Sequence, residues 1–489
     1  MERTAGILLP VFSLPSPYGI GTAESGKAFV DFLHDAGQSY WQFLPLCPVG
    51  AGNSPYQSYS AFAGNPLFID PGTLLKKGLI TRQEEQRSRV ESDKIDYKSL
   101  FLGREKLFKG AFNRADKKAV KEFLLNNEEI FDYCLFCAIK DKLKGLSLEK
   151  WEEPIKRREA FAVKTAKKEL SQEILYYGFL QYEFAEEWSE LKKYANEKNV
   201  KLIGDIPIYV SADSADFWKR PEQFLTDENG DITHVAGVPP DYFAKDGQLW
   251  GNPLYDYSYM EKDGFSWWLS RLENELKRCD VLRIDHFRGF ADFWAVKKDA
   301  KTAKEGEWLM GPGEKLTALL KKKAAGRLIA EDLGDLSKAA RRLVKKSGIP
   351  GMRVLEFAFD SLAPNDYQPH RYNENCVAYS GTHDNAPTMG WIGEVSEEVR
   401  QYAKSYLALN AEEGWHIGII RALYSSRANL VITPIADLIG MGKDARINTP
   451  GTPEGNWEFR LKEEFLTQEL KETSKRLVGM YERAPKRFK

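Results

Sequence analysis

The chain predicts an α/β fold, a (β/α)8 TIM barrel with large helical and loop insertions, on three observations. Eight short apolar runs, rich in β-formers, end in polar or Gly/Pro punctuation. Most of these runs are continuously apolar rather than alternating, as expected of parallel strands covered on both faces. Helix-like stretches lie between many of them, such as FVDFLHDAG before the second and KLTALLKKKAA before the fifth. In chain order the runs are GILLPVFSL (6–14), YWQFLPLCP (40–48), VKLIGDIPIYV (200–210), DVLRIDHF (280–287), GRLIAEDLG (326–334), GMRVLEFAF (351–359), NCVAYSGTHDN (375–385) and ANLVITPIADL (428–438). A chain of 489 residues exceeds the usual barrel length, so one catalytic barrel over 1–489 must carry insertions.

Uneven spacing locates those insertions. Residues 67–199 hold charged, amphipathic helical sequence, expected to form a helical subdomain whose charged faces meet solvent. Residues 211–262 are rich in Pro, Gly, Asp and aromatics and are expected to form a long loop over the active-site end. Tyr242, Phe243, Trp250 and Tyr255 would be costly to leave in disordered chain.

Composition removes whole classes of partner. Hydrophobic residues make up 43% of the chain and charged residues 29%, and the formal net charge is -1, so no global field attracts nucleic acid or anionic lipid. No run approaches the roughly 18 apolar residues of a membrane span, and the N-terminus lacks a signal-peptide cleavage pattern. The five scattered cysteines (Cys47, Cys134, Cys137, Cys279, Cys376) favour a reducing, cytoplasmic compartment. Cys134 and Cys137 form a C-x-x-C, but they share helical apolar spacing with Phe131, Leu135, Phe136 and Ala138, which predicts a packed helix face.

The stretch RIDHFRGF (283–290) concentrates charge where a buried strand closes. In a barrel, the C-terminal strand ends carry the active site, and alternation puts Arg283, Asp285 and Phe287 on one face. Two other strands end similarly: LIAEDLG offers Glu331 and Asp332, and AYSGTHDN offers His383 and Asp384. Convergent carboxylates serve metal binding, glycoside chemistry or a structural ion-pair network. No D-x-D loop with metal-site spacing is present. Glycoside transfer needs one ionised carboxylate to attack and one protonated carboxyl to donate. Arg283 is placed to keep Asp285 ionised, whereas Leu328, Ile329 and Ala330 give Glu331 an apolar setting that raises its pKa.

At these residues the chain resembles the amylomaltase, or 4-α-glucanotransferase (disproportionating enzyme), family of the α-amylase clan. The resemblance runs through SLPSPYGIG (13–21), YWQFLPL (40–46), SPYQSYSAFAGNP (54–66), GDIPIYV (204–210), AGVPPDYF (236–243), GQLWGNPLY (247–255), RIDHFRGF, AEDLG (330–334), GTHDN (381–385) and PGTPEGNW (450–457). It implies Asp285 as nucleophile, Glu331 as acid/base and Asp384 as transition-state stabiliser. Asp205, Tyr209 and His383 match positions that contact the sugar at the cleavage point. Tyr59 and Trp250 lie in motifs that border the glucan groove, and Arg283 belongs to the same substrate-binding set. The implied activity is retaining transfer of α-1,4-glucan segments between malto-oligosaccharides derived from starch or glycogen, with no cofactor or metal. A hydrolase on the same barrel and a silent glucan-binding protein are the alternatives. Retention implies carboxyls of Asp285 and Glu331 about 5 to 5.5 Å apart. The chain departs from the family at Ala386 and Pro387, where an acidic residue and Thr or Ser are usual, and at Ala436, where glutamine is common. The first strand also reads LLPVFSLP where a His or polar residue is more usual.

Overall fold

The computed structural model describes residues 2–240 and 245–485. All eight apolar runs contain a strand of one closed parallel barrel: β1 (Thr4–Leu8), β2 (Tyr40–Gln42), β3 (Lys201–Ile206), β4 (Val281–Ile284), β5 (Leu328–Ala330), β6 (Gly351–Val354), β7 (Cys376–Tyr379) and β8 (Leu430–Pro434). Each strand pairs with its neighbours in chain order, and β1 closes the ring against β8 with Thr4 opposite Leu430. The strands are shorter than the apolar runs because each run continues into a turn that leaves the barrel wall. In the first, Pro10 ends the strand and a 3-10 turn, Val11–Ser13, follows. Nearly every strand residue is buried, as continuous apolar patterning requires of a sheet covered on both faces.

Helices coat the wall between most strands. The helix Ser25–Asp35 joins β1 to β2, and Ser266–Arg278 joins β3 to β4. The long helix Ser171–Glu197 closes the segment 67–199, yet it packs on the barrel itself. Its Trp188 ring lies 5.1 Å from Phe43, and Trp188 Nε1 donates to the Arg278 carbonyl at 2.9 Å. The earlier helices, including Tyr97–Arg114 and Glu128–Lys142, form the projecting body on top of it. Cys134 and Cys137 are buried in Glu128–Lys142, and all five cysteines are free thiols. Among the described residues no helix is long and apolar enough to cross a membrane.

The segment 211–262 differs from the expected long loop. His234–Val238 and Gln248–Pro253 are antiparallel strands, and they join Asp292–Lys297 and Gly306–Met310 in a four-stranded sheet beside the barrel. Its central pairing sets Ala236 opposite Ala295 and Gly237 opposite Trp294. The partner strands come from beyond β4, so the pairing is non-local and the Pro- and Gly-rich spacing masks it. Tyr242 and Phe243 lie outside the described residues.

Candidate active site

Parallel register assembles the site. Asp205 on β3 sits opposite Arg283 on β4, so both side chains point into the barrel, and Asp285 follows two residues on along the same face. Arg283 Nη1 donates to both Asp205 oxygens at 2.7 Å, while Nη2 donates to Asp285 Oδ1 at 2.8 Å. Arg283 is 3% exposed, so its charge acts in a low-dielectric setting and fixes the position of the half-buried Asp285 carboxylate. The side chain of Asp205 is fully buried, and its second partner is the Tyr56 hydroxyl, which donates to Oδ2 at 2.7 Å.

The ends of β4 and β5 are stitched together. Asp285 N–H donates to the Ile206 carbonyl at 2.9 Å, and Glu331 N–H donates to the Ile284 carbonyl at 3.0 Å. His286 takes a left-handed backbone with φ 53°, an uncommon conformation for a residue with a side chain. That conformation turns its N–H onto Glu331 Oε2 at 2.7 Å, and Leu333 N–H donates to Oε1 at 2.7 Å. Two backbone donors therefore orient the Glu331 carboxyl. Burial, and after it the Asp285 charge, push the Glu331 carboxyl up to about 7, against the opposing pull of Arg283 and these backbone donors. Next in the chain, Asp332 points the other way: its Oδ1 accepts from Met352 N–H at 2.6 Å on the outer side of the wall. Gly351 leaves the room, since a Cβ there would collide with the Asp332 carboxylate.

Asp384 enters from the β7 side. Asn448 Nδ2 donates to its Oδ1 at 2.6 Å, Arg446 donates to its carbonyl at 2.8 Å, and His383 Nε2 lies 3.4 Å from Oδ1. Its carboxylate is 45% exposed and open to a ligand. Tyr56 joins the two halves, because its ring stacks on His383 with centroids 5.1 Å apart while its hydroxyl holds Asp205. Burial, then the field of Asp205, pushes the Tyr56 phenol well above its ordinary range, so it serves as a hydrogen-bond donor. Trp457 packs on both rings at 5.9 and 6.1 Å, and it too has a left-handed backbone, φ 66°.

An aromatic cluster forms the opposite wall. Trp250 meets the His286 ring edge-on at 4.9 Å and Tyr209 at 6.3 Å. Burial and the nearby Arg288 push the His286 imidazole down to about 3, leaving it neutral. Tyr59 is placed differently from the rest. It lies under the helical body, with the Phe136 ring 6.3 Å away and Lys140 Nζ 5.1 Å above its ring, and it lines a separate cavity with Tyr176 and Tyr177. The residues missed in the sequence are Tyr56, Asn448 and Arg446. Tyr56 is three positions from Tyr59 in the same motif, whereas Asn448 and Arg446 precede PGTPEGNW in a segment without regular patterning. Ala386 and Ala436 are both buried, at 8% and 5% exposure, and the adjacent Asp437 accepts from Ser380 Oγ at 2.5 Å and Thr388 N–H at 2.7 Å.

Comparison with known proteins identifies the family. The family model for 4-alpha-glucanotransferase matches residues 9–467. A 4-alpha-glucanotransferase of Clostridium butyricum is 44% identical over 483 residues, spanning 97% of this chain and 99% of that protein. One from Thermus thermophilus is 40% identical, spanning 94% of this chain and 95% of that protein. The amylomaltase from Streptococcus agalactiae in complex with acarbose superposes with a TM-score of 0.96 at 39% identity, covering 99% of this chain and all of that one. An amylomaltase from Corynebacterium glutamicum, 18% identical with a TM-score of 0.78 over 98% of this chain and 75% of that one, shares the fold. The chain, a (β/α)8 barrel whose strand ends bring Asp285, Glu331 and Asp384 to one mouth, belongs to the 4-alpha-glucanotransferase family.

Proposed function

We propose that the chain moves α-1,4-glucan segments between malto-oligosaccharides by retaining double displacement. Asp285 attacks the anomeric carbon while Glu331 protonates the departing glycosidic oxygen, which leaves a glucosyl ester on Asp285. Glu331, now ionised, takes the proton from the 4-hydroxyl of an acceptor glucan, whose oxygen displaces Asp285 from the same face. Two inversions restore the α bond. Asp384 grips ring hydroxyls of the flattened, cationic sugar, an interaction strongest in the transition state.

One observation carries this reading: the two neighbouring carboxyls sit in different electrostatic settings, one held by a guanidinium and one buried and raised. Arg283 donates to Asp285 at 2.8 Å, whereas burial and the Asp285 charge raise Glu331 to about 7. Asp205 acts through Arg283 as a positioning residue, since its side chain is fully buried and accepts from Arg283 and Tyr56. Tyr209, His383 and Trp250 frame the sugar subsites, and Tyr59 acts from the helical side. Starch- or glycogen-derived malto-oligosaccharides are the substrates in this reading, and five free buried thiols favour a reducing, cytoplasmic compartment.

Maltotriose tests the reading. A transferase converts it to glucose plus longer oligomers with nearly constant reducing ends. A steady rise in reducing ends would make the chain a hydrolase, and an unchanged chromatogram would make it a binding protein.

A further inference from the structure

The helical coat of the barrel has a gap. Helices cover the connections from β4 to β5 (Gly313–Ala324), β5 to β6 (Lys338–Ser347) and β7 to β8 (Trp415–Ser425). The connection from β6 to β7 contains only two 3-10 turns, Leu355–Ala358 and Pro369–Arg371. Alternation along β6 turns Met352 inward, where its sulfur meets Arg283 Nε at 3.3 Å, and turns Arg353 outward into the gap. A barrel residue at that outward position normally faces an apolar helix. Here it faces a cavity of about 790 Å³ between the helix Lys338–Ser347 and the 364–376 segment, within the roughly 300–1,000 Å³ of small-ligand sites.

The lining is cationic on a chain whose net charge is -1. Arg341, Lys345, Arg353 and Arg371 converge on the cavity, against the carboxylates of Asp332 and Asp366. Asp332 is already engaged with Met352 N–H at 2.6 Å and lies 3.5 Å from Arg353 Nη1. Among the described residues the side chains of Lys345 and Arg371 have no carboxylate or hydrogen-bond partner, so two cations are available to a ligand. Asn373 and Asp366 add groups that hydrogen-bond hydroxyls, and the half-buried Tyr367 adds an aromatic face.

We propose that this cavity binds a sugar phosphate, with Arg353, Arg371 and Lys345 holding the phosphate and Asn373, Asp366 and Tyr367 holding the sugar. Guanidinium pairs suit phosphate because their forked donors match its oxygens. The site is separate from the glucan groove, yet its wall includes Asp332 and Gly334, which follow the acid/base directly in the chain. Occupancy is therefore read one residue away from Glu331.

Calorimetric titration of the full chain with glucose 1-phosphate and with inorganic phosphate tests the site, run in parallel on the double variant Lys345→Glu/Arg371→Glu. Both side chains are exposed, so the variant is expected to fold and to keep its transfer activity on maltotriose in phosphate-free buffer. Glucose 1-phosphate should bind saturably to the native chain and at least about tenfold more weakly to the variant, with affinity falling as salt rises. Inorganic phosphate should bind more weakly than the sugar ester. Equal affinity of the native chain and the variant would place the ligand elsewhere, such as in the glucan groove, and would overturn the proposal. So would the absence of saturable binding, which the native chain alone reveals. Inorganic phosphate binding as tightly as glucose 1-phosphate would overturn the sugar half of it.

Discussion

Replacing Glu331 by glutamine is expected to remove about 10² to 10⁴ of turnover, the usual contribution of a general acid/base, while leaving glucan binding largely unchanged. The neighbouring Asp332→Asn is expected to act on stability instead. It weakens the charge-assisted bond to Met352 N–H behind the wall, a loss of about 1–3 kcal/mol measurable by denaturant unfolding, with kcat nearly retained. A folded Asp332→Asn protein with the greater loss of kcat would reverse the two assignments. The raised carboxyl of Glu331 also sets a pH dependence. If the protonated form delivers the first proton, as proposed, kcat/KM should fall as pH rises through about 7, and this limb should vanish in Glu331→Gln. Stability carries the matching sign. A carboxyl raised from 4.5 to about 7 by folding contributes stability that is complete below 4.5 and lost as pH rises through 7. Glu331→Gln should therefore raise Tm relative to the native chain at pH above 7, with the gain shrinking toward pH 4.5.

The four-stranded sheet beside the barrel is the element that positions Trp250. Among the described residues its strand Gln248–Pro253 pairs only with His234–Val238, which in turn pairs with Asp292–Lys297 just after the RIDHFRGF turn. Trp250 thus reaches the His286 ring through a rigid support rather than a free loop. In the proposed double displacement the covalent intermediate would face water at roughly 55 M, and transfer would prevail only where an acceptor is bound and oriented well enough to overcome it. Trp250→Ala should accordingly lower the ratio of transfer to hydrolysis on maltotriose, read as the ratio of longer oligomers to new reducing ends. An unchanged ratio in a folded variant would remove the sheet from acceptor selection. The sheet was hidden in the sequence because antiparallel partners drawn from either side of β4 leave no local signature, and Gly237, Gly247 and Gly251 read as loop residues. Strand existence in the barrel was legible for the opposite reason: each run is buried on both faces, so composition alone marks it.

For the molecule as a whole, the stereochemical outcome is the sharpest expectation. Proton NMR of early product should detect the α-anomer, and β-anomeric product at early times would replace double displacement with a single inversion. The sequence alone determined the barrel, the order of its strands and the three carboxylates at their ends. Periodicity, apolar length and ordered motifs are local properties, and local properties survive in one dimension. Tertiary structure decided the rest, because it depends on register and on contacts between distant segments. Asp205 faces Arg283 across 78 positions through the pairing of β3 with β4. Tyr56 enters the site while Tyr59, three residues on, turns to the helical body. Asn448 and Arg446 hold Asp384 from more than 60 positions away. Glu331 and Asp332, identical in kind and adjacent in sequence, are divided by the barrel wall: one carboxyl meets Asp285 in the buried mouth and the other meets backbone outside it, a division that only the closed sheet creates.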